Sequence, residues 1–315
     1  MGDIFSSKSS ITFTVKLDKD IFYCGDKLSG EICFGRKSPR LIKKVDINLW
    51  GEAVYTVEQS SIRDCDGIIY HTVRFLNCTD SKVKSTESDQ CSSDLTRFSL
   101  DIPSEYLPPS FKGQSDYPAV RYWLKCTVTW LNNDNGTGGN SQSSDAILPV
   151  HINGSLVCCR NYKIETYLHT VQNIIKIESR LDKAIFSPDE DISVKYQILG
   201  QVSVRVLDVY VILNRLVSIA GQESVTRITF SSTDEFNDEE PQINDDGEYC
   251  NVLNGNITIQ IANKELPISF NANVGIDEIV YVQVSYEILL FVDIQRDNNT
   301  DRESHRMCIP VEIGF

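Results

Sequence analysis

The residues of this chain that could do chemistry are four histidines, ten cysteines and a surplus of carboxylates. Nucleophilic catalysis needs a hydroxyl or thiol beside a positioned base. His71, His151, His169 and His305 lie in four separate segments, none of them beside a Cys or Ser in a nucleophile motif. The sequence holds no Gly-x-Ser-x-Gly, no phosphate loop and no His-Glu-x-x-His. It holds no Cys-x-x-Cys either, and Cys65, Cys78 and Cys91 are evenly but too widely spaced for a zinc pair. Carboxylate pairs fall in acidic stretches that read as solvated faces. The expectation is therefore a protein that is not an enzyme, with no cofactor and no metal. The most distinctive charge feature is basic: Arg36, Lys37, Arg40, Lys43 and Lys44 crowd into one short stretch of an otherwise acidic chain. Its simplest reading is a solvated hairpin tip followed by an exposed strand face.

The elements that must position these groups are bounded by composition. The chain has 315 residues, 41% of them apolar, which is enough for two ordinary domains with a sizeable core. A formal charge of −14 opposes a nucleic-acid footprint and non-specific attraction to anionic lipid. The longest apolar run, Tyr286 to Val292, is broken at Glu287 and falls short of the roughly 20 residues of a spanning helix. The opening Met1 to Ser6 has neither a basic nor an apolar signal region. These features lead to the expectation of a cytoplasmic protein with reduced thiols. The Asn-x-Ser/Thr sequons at Asn77, Asn135, Asn153, Asn256 and Asn298 are read as chance.

Alternation of period two dominates. Phe13, Val15 and Leu17 share one strand face, as do Val45, Ile47 and Leu49, then Phe98, Leu100 and Ile102, and Val120 through Val128. Ile192 to Ile198, Ile257 to Ile261 and Val280 to Ile288 repeat the pattern in the second half. The runs are short, β-branched and separated by Gly, Pro, Asn and Asp, and no long amphipathic helix interrupts them. The halves also match in order. Leu17-Asp18-Lys19-x-Ile21-Phe22 recurs as Leu181-Asp182-Lys183-x-Ile185-Phe186, Val45-Asp46-Ile47 as Leu207-Asp208-Val209, and Leu148-Pro149-Val150 as Ile309-Pro310-Val311. Leu107-Pro108-Pro109-Ser110-Phe111 likewise recurs as Leu266-Pro267-Ile268-Ser269-Phe270, and Val120-x-Tyr122-x-Leu124 as Val284-x-Tyr286-x-Ile288. The chain is expected to be all-β: two tandem immunoglobulin-like antiparallel sandwiches over 1–155 and 160–315. Polar stretches at Thr79–Asp94, Asn132–Asp145 and the carboxylate-rich Ser231–Glu248 are expected to be mobile loops.

Within this frame the chain resembles the arrestin family. Tyr23-Cys24-Gly25-Asp26 with Gly30, the strand ending Trp50-Gly51, and Leu107-Pro108-Pro109-Ser110-Phe111-Lys112-Gly113 followed by Val120-Arg121-Tyr122 are similar to its N-domain. Phe186-Ser187-Pro188-Asp189-Glu190 and the closing strand with Pro310 are similar to its C-domain, with Asp189 where the family more often has Gly. The likeness is nearest to the arrestin-domain-containing proteins, or alpha-arrestins. These motifs read as structural. Gly25, Asp26 and Gly30 serve a tight hairpin, and Pro108 lies outside any central strand. Phe111 and Phe270 plug the sandwich ends; Gly51, Gly113, Tyr122 and Pro267 complete the pattern. The Pro-Pro-x-Tyr motifs by which alpha-arrestins recruit ubiquitin ligases are not in this sequence, nor is a clathrin-binding tail.

The resemblance implies an adaptor that binds tails of membrane receptors or transporters and couples them to endocytic and endosomal sorting or to signalling, with recruitment to the plasma membrane or endosomes. It implies phosphorylated tails as ligands for Arg36, Lys37, Arg40, Lys43 and Lys44 through charge-assisted hydrogen bonds. The first strand, with Ile11, Phe13 and Val15, is a candidate edge for an extended cargo peptide. Gly2 fits a minimal myristoylation pattern and Cys158-Cys159 an acylation site, giving a route to peripheral membrane association. Ser231, Ser232 and Thr233 precede acids that would suit a phosphoswitch. Two other readings stand beside this one: a retromer-type subunit of a multisubunit trafficking complex, and an extracellular adhesion or lectin-like tandem sandwich.

Overall fold

The computed structural model describes residues 12–35, 42–58, 68–83, 95–132, 140–154, 166–171, 174–232, 237–238, 242–243, 249–262, 264, 266–297 and 300–314. Among them every regular element is a strand. The chain divides into two compact units: 1–112, 119–155 and 273–280 form the first, and 113–118, 156–272 and 281–315 the second.

The first sandwich is built from β1 (Phe13–Leu17), β2 (Ile21–Phe22), β3 (Lys27–Phe34), β4 (Ile42–Glu58), β5 (Ile68–Val83), β6 (Leu95–Asp101), β7 (Phe111–Lys112), β8 (Ala119–Asn132) and β9 (Asn140–Ile152). One sheet runs β1-β3-β6, the other β2-β9-β8-β4-β5 with β7 against β8. Alternation sets their inner faces. Leu28, Ile32, Ile47, Leu49, Phe98, Leu100, Tyr122, Leu124 and Val128 are all buried between them.

The second sandwich comprises β10 (Thr166–Val171), β11 (Ile175–Leu181), β12 (Ile185–Phe186), β13 (Ile192–Gln201), β14 (Val204–Ile219), β15 (Gln222–Ser232), β16 (Asn237–Asp238), β17 (Gln242–Ile243), β18 (Tyr249–Ile259), β19 (Phe270–Val274), β20 (Val280–Arg296) and β21 (Glu303–Ile313). Its sheets run β10-β11-β13-β18-β16, with β17 on β18, and β12-β21-β20-β14-β15, with β19 on β20. The buried positions again follow the predicted alternation.

The repeat read from sequence recurs as matched hydrogen bonds. Tyr122 donates its hydroxyl to the Pro108 carbonyl at 2.6 Å, and Tyr286 does the same to Pro267 at 2.5 Å. Ser110 exchanges bonds with Ile152, as Ser269 does with Ile313. Lys19 meets Asp26 and Lys183 meets Glu190, each carboxylate also accepting a backbone N–H three residues earlier. Both β4 and β14 bulge at equivalent points, Gly51/Glu52 and Leu213/Asn214. Phe111 and Phe270 are buried. Gly25 has φ +83°, and a Cβ on Gly30 would stand 2.3 Å from the Lys16 carbonyl oxygen.

The polar stretches depart from expectation. β5 continues to Val83, β9 begins at Asn140, and β16 and β17 lie inside the acidic segment and pair with β18. Backbone ladders need no apolar side chain. Ser81 pairs with Asp46 and Asp145 with Thr127, each with a side-chain hydrogen bond on the outer face.

Candidate functional site

β1 ends the three-stranded sheet and pairs with β3 from Phe13↔Phe34 to Leu17↔Gly30. Its inward residues Phe13, Val15 and Leu17 are only half-buried, while Thr14 and Lys16 are exposed. Phe13 packs at a tilt against Phe34, ring centroids 6.3 Å apart. On the opposite face Lys16 stands in a row with Glu31 and Arg97, which are 3.1 Å apart. Among the described residues no strand lies beyond β1. Its counterpart in the second sandwich, β11, is covered by β10 through six paired residues, Thr166↔Arg180 to Val171↔Ile175.

The predicted basic residues divide. Gly2, Ile11, Arg36, Lys37, Arg40, Cys158 and Cys159 lie outside the described residues, as does Thr233. Gly35, which precedes Arg36 in sequence, donates its N–H to the Thr12 carbonyl at 2.8 Å. Lys43 is exposed on β4. Lys44, also on β4, is committed to Asp46 at 2.7 Å. Burial works against ionisation of Asp46, but bonds from Lys44 and Ser81 and the Lys44 charge outweigh it, so its carboxyl titrates below its ordinary value. Lys125, Thr127 and Asp145 repeat that arrangement on β8 and β9. Lys43 and Lys44 thus belong to the six-stranded sheet, and Phe13 and Val15 to the other sheet of the same sandwich.

A feature that sequence reasoning passed over lies on the outer face of the six-stranded sheet. Trp50 and Trp123 are direct cross-strand partners there. Arg74 stands 5.8 Å from the Trp50 ring, and the Trp123 indole N–H donates to Glu52 at 2.9 Å. Ile147 beside them is 58% exposed. The signal was legible: both tryptophans occupy the outward phase of strands whose inward phase is Leu49, Tyr122 and Leu124.

Among the described residues no group of three or more His, Cys, Asp or Glu is placed to hold a metal, and no helix is long and apolar enough to cross a membrane. Cys24, Cys33, Cys78, Cys126 and Cys308 are free thiols. What this geometry offers is strand edges, aromatic faces and paired charges, which are the means of polypeptide recognition.

The family model for the arrestin (or S-antigen) C-terminal domain matches residues 7–156. This first part of the chain is thus an arrestin-family domain. The match falls on the first sandwich, and the paired tyrosine, serine and bulge geometry carries the same pattern through the second. No curated protein matches the chain. Arrestin-family proteins are generally non-enzymatic and typically bind receptors and trafficking machinery.

Proposed function

We propose that this arrestin-family protein is a non-enzymatic adaptor that holds extended cytoplasmic tails of membrane receptors or transporters and couples them to endosomal sorting or signalling. In this reading the first sandwich, 1–155, is N-like and the second, 160–315, is C-like. In the same reading it is an alpha-arrestin-like chain. It works in the cytoplasm and is recruited to plasma-membrane or endosomal cargo. The observation that carries the proposal is the edge position of β1, whose counterpart β11 already receives an antiparallel strand. A cargo tail would extend the sheet in that register. Arg36, Lys37 and Arg40 follow in sequence after β3, the strand paired with β1, and would pair with phosphate groups on the tail, with Lys43 exposed on β4 of the other sheet. The free thiols support a reducing compartment over the adhesion reading.

The test is hydrogen exchange of the full chain with and without a phosphorylated receptor-tail peptide. Protection should rise over Thr12–Leu17, and reversing Arg36 and Arg40 to Glu should abolish binding of the phosphopeptide. Unchanged exchange in β1, with affinity unaltered by the reversal, would remove the proposal.

A further inference from the structure

We propose that the outer face of the six-stranded sheet of the first sandwich is a second docking surface, centred on Trp50, Trp123 and Arg74. Its occupant is an acidic segment of a partner protein that carries an aromatic or aliphatic side chain. The inference stands apart from the cargo reading of β1, which lies in the other sheet of that sandwich.

Period two turns alternate residues of β4 and β8 away from the core, and most of them suit water: Asp46 and Asn48 on β4, Lys125 and Thr127 on β8. Two of the chain's three tryptophans interrupt that phase, directly opposite each other at Trp50↔Trp123. Pro149 on β9 is the next cross-strand partner of Trp123 and is exposed. Ile147, on the same face of β9, is 58% exposed. The result is an apolar island on a polar sheet face. Core packing does not account for it, because Leu49, Tyr122 and Leu124 fill the core from the opposite phase. Apolar patches with a polar rim mark interaction sites, and tryptophan and arginine most often carry the binding energy there.

Charge selects the occupant. Arg74 is exposed, with its guanidinium 5.8 Å from the Trp50 ring, and it forms no ion pair among the described residues. Glu52 is its cross-strand partner on β4 and accepts from the Trp123 indole N–H at 2.9 Å. Arg121 is the partner of Glu52 on the other side. Two guanidiniums therefore flank one carboxylate beside the tryptophans. Farther along the face Lys44 and Lys125 are matched by Asp46 and Asp145, each at 2.7 Å. The positive excess is thus local to the indoles, in a chain of net charge −14. A guanidinium held over an indole offers its N–H groups to a carboxylate while the ring face takes a side chain. Glu52 and Arg74 hold the two rings before a partner arrives, which lowers the cost of ordering them. Screening over roughly 10 Å lets a short acidic segment sense this local charge. A nucleic acid or an anionic membrane spans far more surface and meets the acidic remainder.

The experiment titrates the full chain, its tryptophan indoles labelled with nitrogen-15, with a short peptide of glutamate and serine around one central phenylalanine. The indole N–H signals of Trp50 and Trp123 should move, while that of Trp130, buried in the core, should stay. Replacing the peptide's glutamates by lysine, or its phenylalanine by alanine, should weaken binding by about tenfold. Arg74→Glu, at an exposed position, should weaken binding of the glutamate peptide to a similar extent and transfer the preference to the lysine peptide. Indole signals of Trp50 and Trp123 that stay fixed at millimolar peptide would overturn the inference. So would equal binding of the glutamate and lysine peptides by the unaltered chain, or an affinity that Arg74→Glu leaves unchanged.

Discussion

Tyr122 and Tyr286 show how single hydroxyls fix this fold. Each ring is buried, and each hydroxyl bonds a proline carbonyl in the turn before its own strand. Tyr122→Phe leaves the Pro108 carbonyl buried without its donor. It should cost about 1–3 kcal/mol, read as a lowered urea midpoint with unchanged slope, and Tyr286→Phe should match it. A midpoint like that of the unaltered chain would show the bond to be dispensable. Cysteines make a second prediction. Burial, reinforced by Asp145 and Asp46, pushes the Cys126 thiol up to about 12. The native protein should resist iodoacetamide at that residue at pH 8, and peptide mapping checks it. The unfolded thiol ionises near its ordinary value of about 8.5, so this burial loses stabilising weight as pH rises above that value. Cys308 is exposed, yet partial burial and then the bond and charge of Glu287 raise it to about 11, so it should alkylate slowly. Much at this scale was readable: Tyr122, Pro108 and Phe111 stood out by their order in both halves. The donor–acceptor pairing of Tyr122 with Pro108 was not, because it depends on how the turn folds back over the sheet.

Strands make the next scale, and here period-two alternation was a sound guide to the inner faces. It failed at the ends of strands. Polar residues of β5 and β9 were read as loop because they bury little, yet ladder pairing and bonds such as Ser81 to Asp46 keep them in the sheet. Edge position was also beyond the sequence, since it depends on strand order. Gly30 tests how β1 is held. Any β-carbon there meets the Lys16 carbonyl and the Phe98 ring, so Gly30→Val must push β1 or Phe98 aside. It should cost roughly 1–3 kcal/mol and raise exchange in Phe13–Leu17 before the rest of the sheet. Uniform exchange across β1, β3 and β6 would contradict that local account.

At the scale of the whole molecule, the chain is two versions of one sandwich, and they differ in what lies at the matching edge. β11 carries β10, whereas β1 ends its described sheet. That difference motivates the reading of the first sandwich as the cargo-holding one, and the family match lies on the same half. The repeat was legible because five motifs keep their order. The tryptophan face of the first sandwich depends on the register that sets Trp50 opposite Trp123 across β4 and β8, which strand alternation alone does not specify. If Trp50 and Trp123 form a binding face, Trp50→Ala with Trp123→Ala should weaken partner capture while shifting the unfolding midpoint little, since both lie outside the core. The adaptor account rests on what the protein meets in its own cell. Proximity labelling there, followed by binding of the labelled proteins to the purified full chain, tests it most directly. The account predicts membrane receptors or transporters together with endosomal sorting subunits. A stable soluble assembly without membrane cargo would contradict it and make this chain a structural subunit instead.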